Sequence, residues 1–234
     1  MVLVLVIAMT LPTPVNRYFE FVFADSEPAP MQAKLNQTGT LRTSTTAKRW
    51  LPFTARQLIT TRHFVWQASV LMGLGVRLTV KDSYHHEQGS GSIKLFNVVS
   101  LASQVGGHEL NTAALQRYLA EGPWNPWVLT PEAGVEWSPI DDDHAVATLR
   151  DGANAASITF TFAANGAITK AFTEGRYAKQ GKGYRLLPWE GRFSDYRTEG
   201  AVHVPFFGEV GWYVNNRLAP VWQGQIEHIT HTLL

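Results

Sequence analysis

Alternation of apolar and polar residues with a period of two runs through most of this chain and predicts a protein built mainly of β-strands. Ala33, Leu35, Gln37, Gly39 and Leu41 share one face of an early strand, because successive side chains of a strand point to opposite sides. Phe64, Trp66, Ala68 and Val70 do the same further on. Val76, Leu78 and Val80 follow before Asp82, with Gly73-Leu74-Gly75 as the turn between the two runs. Gly89-Ser90-Gly91 reads as a turn introducing Ile93 to Phe96. After residue 130 the pattern resumes in Val135 and Trp137, in Ala145, Ala147 and Leu149, and in Ile158, Phe160 and Phe162. Asp151-Gly152 and Asn165-Gly166 serve as hairpin turns there. Further runs cover Phe172, Tyr184 to Leu187, Phe193, Val202 to Phe206, Val210 to Val214 and Ile226 to Ile229. The sum is roughly ten to twelve strands, a number at which an open sheet curls or closes.

One segment has a helical period instead. Leu115, Tyr118 and Leu119 form an apolar stripe, Asn111 and Thr112 supply caps for a helix from Ala113 to Glu121, and Gly122-Pro123 stops it. Arg117 and Glu121 stand four apart on another face, a spacing that permits an ion pair. Trp124 follows the stop in an irregular stretch between two prolines, where an exposed indole needs a reason. The expected architecture is therefore mainly β with one central helix near residues 112–121: a curled antiparallel sheet or incomplete β-barrel over residues 31–234. An N-terminal hydrophobic and Pro-rich segment, residues 1–30, precedes it. No internal repeat or low-complexity linker divides the chain.

Composition narrows the function classes. Hydrophobic residues make up 45% and charged residues 17%, which fits a folded globular chain and not a disordered one. A net charge of +1 gives no basic face for nucleic acid. With no cysteine, disulfides, thiolate metal sites and a cysteine nucleophile are excluded together. Eight tryptophans must fill a core or line a cavity. The apolar run Val2 to Met9 is far shorter than the ~20 residues that span a bilayer, and it lacks the basic start of a secretory signal. A cytoplasmic protein is expected, with membrane association through a truncated N-terminal anchor as the alternative.

The search for chemistry removes more than it finds. Gly-x-Ser-x-Gly is absent, and the glycines are scattered among turns rather than gathered before a helix, so neither a serine hydrolase of the common kind nor a nucleotide cofactor is expected. His85-His86-Glu87 reads as a polar hairpin tip, since adjacent strand residues face opposite ways, and Asp141-Asp142-Asp143-His144 reads as a solvated turn. No metal site is expected. Asp82, Glu121 and Glu190 each lie beside aromatic residues and remain acid/base candidates. Arg117 and Arg176 are suited to an anionic head group through forked hydrogen bonds.

Leu11-Pro12-x-Pro14-Val15-x-Arg17-Tyr18, Trp50-Leu51-Pro52-Phe53-Thr54-Ala55-Arg56-Gln57, Phe64-Val65-Trp66, Arg117 to Glu121 and Pro188-Trp189-Glu190-Gly191 together resemble a bacterial family of uncharacterised proteins, a domain of unknown function. The resemblance runs from about Leu11 to His228 and implies no established activity, cofactor or catalytic residue. In outline, the strand order and central helix also resemble the incomplete barrels of lipoprotein carriers, which enclose a hydrophobic cavity. That likeness concerns the fold. The leading expectation is a binding module for a hydrophobic or lipid-like small ligand contacted by Trp66, Arg117, Tyr118, Trp124, Arg176 and Trp189. One alternative is a cofactor-free enzyme using Glu121 or Asp82 as acid or base with Arg117 stabilising negative charge. The other is a membrane-tethered partner-binding domain.

Overall fold

A computed structural model describes residues 11–24, 28–181 and 183–234. Helix α1 (Thr13–Phe23) is followed by strands β1 (Met31–Leu41), β2 (Leu51–Thr60), β3 (His63–Gly73), β4 (Val76–His85), β5 (Gln88–Leu95) and β6 (Val99–Val105). Helix α2 (His108–Ala120) and three short 3-10 turns, Gly122–Trp124, Pro126–Leu129 and Pro131–Ala133, lead to the second half. There β7 (Val135–Pro139), β8 (His144–Asp151), β9 (Asn154–Phe162), β10 (Ile168–Gln180), β11 (Gly183–Glu199), β12 (Val202–Val214) and β13 (Arg217–Leu233) complete the fold.

All thirteen strands belong to one antiparallel sheet, ordered β6-β5-β4-β3-β2-β1-β13-β12-β11-β10-β9-β8-β7 and curled into a half-barrel. Each half is a meander, and a single long-range pairing welds them: β1 lies along β13 from Met31 opposite Leu233 to Leu41 opposite Trp222. β6 and β7 are the two free edges of the sheet. The chain between them, α2 with its 3-10 turns, passes from one edge to the other, and α2 packs on β4, β5, β9 and β10. Leu115, Tyr118, Leu119 and Leu129 from this crossing segment meet Ile59, Phe64, Leu149, Ile158 and Phe160 from the strands in one core.

Several elements differ from the sequence expectation. The Pro-rich N-terminal segment holds a second helix: Val15, Tyr18 and Val22 of α1 are fully buried, and Arg17 reaches the β7–β8 turn to pair with Asp143 at 3.2 Å. Residues Val2 to Met9 lie outside the described residues, and no described helix is long and apolar enough to cross a membrane. Helix α2 begins at His108, not Ala113, and ends at Ala120. Gly107, at φ 96°, releases the chain into it, and Glu109 in the first turn complements the helix dipole. Asn111 is thus internal, and its Oδ1 accepts a bond from the Gly89 amide at 3.0 Å.

Gly89 and Gly91 sit within β5, while His86 and Glu87, both with left-handed φ, make the β4–β5 tip. The reason for glycine at 89 is close approach of the helix: a Cβ there would lie 2.7 Å from the Leu110 carbonyl oxygen and 2.8 Å from the Ala114 methyl. Gly89→Val is therefore expected to push α2 off β5 and to cost about 1–3 kcal/mol, read as a lowered urea midpoint with an unchanged m-value.

Candidate functional site

The curled sheet and α2 enclose a cavity of about 410 Å³. Its wall is aromatic, with Trp66 from β3, Trp124 from the first 3-10 turn, Trp189 and Phe193 from β11 and Trp222 from β13, supplemented by Val70, Met72 and Leu78. Trp124 packs over Gly208 of β12, where a Cβ would come within 3.1 Å of the indole. A second chamber of about 380 Å³ lies beside the first; its wall is mainly apolar, with Phe64, Leu110 and Tyr184 among the lining, and Ser83, Ser90, Ser92, Gln104 and Lys179 add polar groups. Val80, Asp82, Ile93, Arg117 and Arg176 line both chambers.

A chain of hydrogen bonds runs along the wall of the larger chamber. Trp66 Nε1 donates to Gln37 Oε1 at 2.8 Å, Gln37 Nε2 to Gln57 Oε1 at 2.9 Å, and Gln57 Nε2 to Glu121 Oε2 at 2.6 Å. Arg117 continues it, donating through Nε to Glu121 Oε1 at 2.8 Å and through Nη1 to Asp82 Oδ2 at 2.7 Å. Five elements, β3, β1, β2, α2 and β4, are thereby linked by side chains alone. Gln37 and Gln57 are almost completely buried, so each bond avoids the penalty of an unpaired polar group. The Arg117 guanidinium also lies over the rings of Phe64 and Trp66, 5.1 Å from each centroid. Burial acts to lower its basicity, but the charges and hydrogen bonds of Glu121 and Asp82 raise it overall.

Arg176 is placed differently. It follows a bulge in β10, where the register with β11 shifts between Thr173 and Arg176, and such bulges re-aim side chains. Gln116 of α2 holds the bulge by donating to the Gly175 carbonyl at 3.0 Å. The guanidinium carbon stands 5.0 Å from the Trp189 ring and 5.4 Å from that of Trp212, its cross-strand neighbour. Nη2 donates to the Ala113 carbonyl at 3.3 Å, and Nε is buried without an acceptor. Among the described residues no carboxylate pairs with Arg176. Burial, and then the like charge of Arg117, push its pKa down to about 10.

Of the residues singled out from the sequence, Trp66, Asp82, Arg117, Glu121, Trp124, Arg176 and Trp189 come together around this cavity. Tyr118 does not: it is buried on another face of α2, its hydroxyl accepting from the Arg62 amide at 2.7 Å. Trp124 is not an exposed indole, since only 3% of it is accessible and its Nε1 donates to the Pro205 carbonyl at 3.1 Å. Glu190 lies outside the lining and is held by Arg192 at 2.6 Å and the Tyr213 hydroxyl at 2.8 Å. His85 and His86 stand at the β4–β5 tip, and the acidic run at 141–143 makes the β7–β8 turn. Gln37 and Gln57 were not among the expected site residues, although both fall on the apolar face of an alternating strand, the pattern that marks a buried polar group.

The fold and site define an open half-barrel that holds an aromatic-walled cavity beneath a crossing helix. By sequence, the chain belongs to a family of unknown function, DUF6920, whose profile matches residues 9–231. A comparison with curated proteins gave no match. Among solved structures, the chain is similar to a LolA superfamily protein from Nitrosomonas europaea, at 11% identity and a TM-score of 0.43 over 94% of each chain. A β-barrel-like protein of the domain of unknown function DUF1849 from Brucella abortus shares 11% identity, with a TM-score of 0.29 over 87% of this chain and 98% of that one.

Two outcomes follow from the polar contacts of the site. Gln57→Leu strands the Gln37 amide and one Glu121 oxygen in the interior and is expected to cost about 1–3 kcal/mol, measured by chemical denaturation. His231, close beneath the 3-10 turn with Nε2 2.9 Å from the Trp124 carbonyl oxygen, has its pKa lowered, chiefly by burial. The unfolded chain therefore binds the proton first as pH falls. Its contribution to stability is complete above about pH 6.5 and declines below that value. His231→Gln should flatten the fall in urea midpoint between about pH 7 and pH 5.

Proposed function

We propose that the protein binds a hydrophobic or lipid-like small molecule in the aromatic cavity. The observation that carries this reading is the cavity itself: about 410 Å³, within the range of small-molecule sites, and walled by four tryptophans and a phenylalanine under the curl of the sheet. Apolar walls with a few fixed polar groups bind by removing apolar ligand surface from water, while the polar groups orient the ligand.

For Glu121 the acid/base alternative has less support. Both Glu121 oxygens accept hydrogen bonds, from Arg117 and from Gln57, which suits a residue that positions Arg117 better than one that moves a proton. A general base needs a free oxygen aimed at substrate. The membrane-tethered alternative turns on residues 1–10, which lie outside the described structure.

Native mass spectrometry of freshly purified protein, followed by organic extraction, is expected to reveal a stoichiometric apolar adduct. After delipidation, a neutral naphthylamine fluorophore should quench tryptophan emission. Leu78→Trp, which fills the larger chamber, should weaken that binding by about tenfold or more, since excluding even a few buried methylenes loses that much. A clean apo mass together with no probe binding would overturn the reading.

A further inference from the structure

We propose that the ligand is an anionic amphiphile whose carboxylate or phosphate head is held by Arg176, with its apolar tail in the tryptophan-walled chamber. The inference rests on the cavity being a ligand site, and it is carried by the unequal treatment of two arginines on one shared wall. Arg117 and Arg176 both line the two chambers, and so does Asp82. Yet Asp82 and Glu121 are both bonded to Arg117. Arg117 is neutralised and held, while Arg176 keeps its donors.

A guanidinium carries five N–H donors in a planar fork that matches carboxylate and phosphate oxygens. Arg176 directs one of them to the Ala113 carbonyl, and its Nε–H is buried without an acceptor. The flanking rings of Trp189 and Trp212 fix the plane of the fork and attract the cation. They supply no lone pair to its N–H groups. The β10 bulge, pinned through Gln116 and Gly175, fixes the backbone from which the fork projects, so little ordering remains to oppose binding. Arg176 is half-buried, and a cation withdrawn from water without a hydrogen-bonded counter-ion is destabilising. A neutral ligand would leave Arg176 so, and an anionic head would complete it.

Both chambers have mainly apolar walls, and Arg176 lines both of them. On one side of the shared wall stand Trp66, Trp124, Trp189 and Trp222. On the other, within a mainly apolar lining, stand Ser92, Lys179 and the Ser83–Ser90 hydroxyl pair, 2.7 Å apart, polar groups within the same chamber as Arg176. The lowered basicity of Arg176 agrees with this arrangement, because a bound anion would restore what burial and Arg117 remove.

The test is calorimetric titration of the delipidated protein with dodecanol, dodecanoate and dodecyl phosphate at pH 8, which share a tail and differ in the head. At least one anion is expected to bind about tenfold or more tightly than the alcohol, as for hydrogen bonds to charged groups, and the one that does identifies the head. Arg176→Gln should shrink that advantage to about threefold or less while leaving dodecanol affinity within about twofold. Arg176→Lys, which keeps the charge and loses the fork, should fall between. Equal affinity of all three ligands for the unaltered protein would overturn the anionic head and leave the apolar cavity standing. An advantage that survives Arg176→Gln but disappears in Arg117→Gln would equally overturn it. Failure of all three to bind would remove the ligand-site reading as well.

Discussion

The hydrogen-bonded chain from Trp66 through Gln37, Gln57, Glu121 and Arg117 to Asp82 is the interaction on which the cavity depends. An open sheet has no covalent or main-chain reason to keep a helix at a fixed height over its concave face, and packing alone would pull α2 down until the hollow closed. Interiors are normally filled to crystal-like density. Side chains long enough to bridge the gap, with the amide groups of Gln37 and Gln57 and both oxygens of Glu121 matched, hold the helix at a set position. Glu121 makes this possible by accepting from the sheet with one oxygen and from its own helix with the other. Because Gln37 and Gln57 are neutral, the link reaches from β1 and β2 without placing an isolated charge between them.

Glycine performs the opposite task on the other side of the helix. At Gly89 the absent side chain lets the backbone of α2 come to the surface of β5. One flank of the helix is thus drawn in and the other braced out, leaving room for chambers on either side of Arg117 and Arg176. The β10 bulge belongs to the same scheme, since Gln116 secures it from the helix.

Much of this was legible in the residues, and the reasons differ for what was not. Alternation in Phe64 to Val70 and the Asn165-Gly166 turn identified strands and a hairpin because those signals are local. Helix α1 was not expected within a segment read only as hydrophobic and Pro-rich, although proline is favoured in the first helical turn and Val15, Tyr18, Phe19, Val22 and Phe23 keep helical spacing. The start of α2 was misplaced because Asn111 is a good capping residue in isolation, and its actual partner, the Gly89 amide, lies on another element. Trp124 looked exposed because its segment is irregular, whereas 3-10 turns bury it against β12. Arg117 and Glu121 could be paired from spacing. That Asp82 also joins them, and that Arg176 has no carboxylate partner among the described residues, depends on strand order and on a bulge, which no local pattern carries.

The β1–β13 seam has a consequence for how the chain is made. Each meander forms from neighbours in sequence, but the two halves share a sheet only once β13 meets β1, with nearly the whole described chain between them. During synthesis β1 leaves the ribosome with one edge paired to β2 and the other bare, and it stays so until the rest of the protein has been translated. Non-local pairing of this kind folds slowly, and a waiting strand edge is a template for other chains. The seam that completes the half-barrel is thus also the interval in which a nascent chain most needs a chaperone.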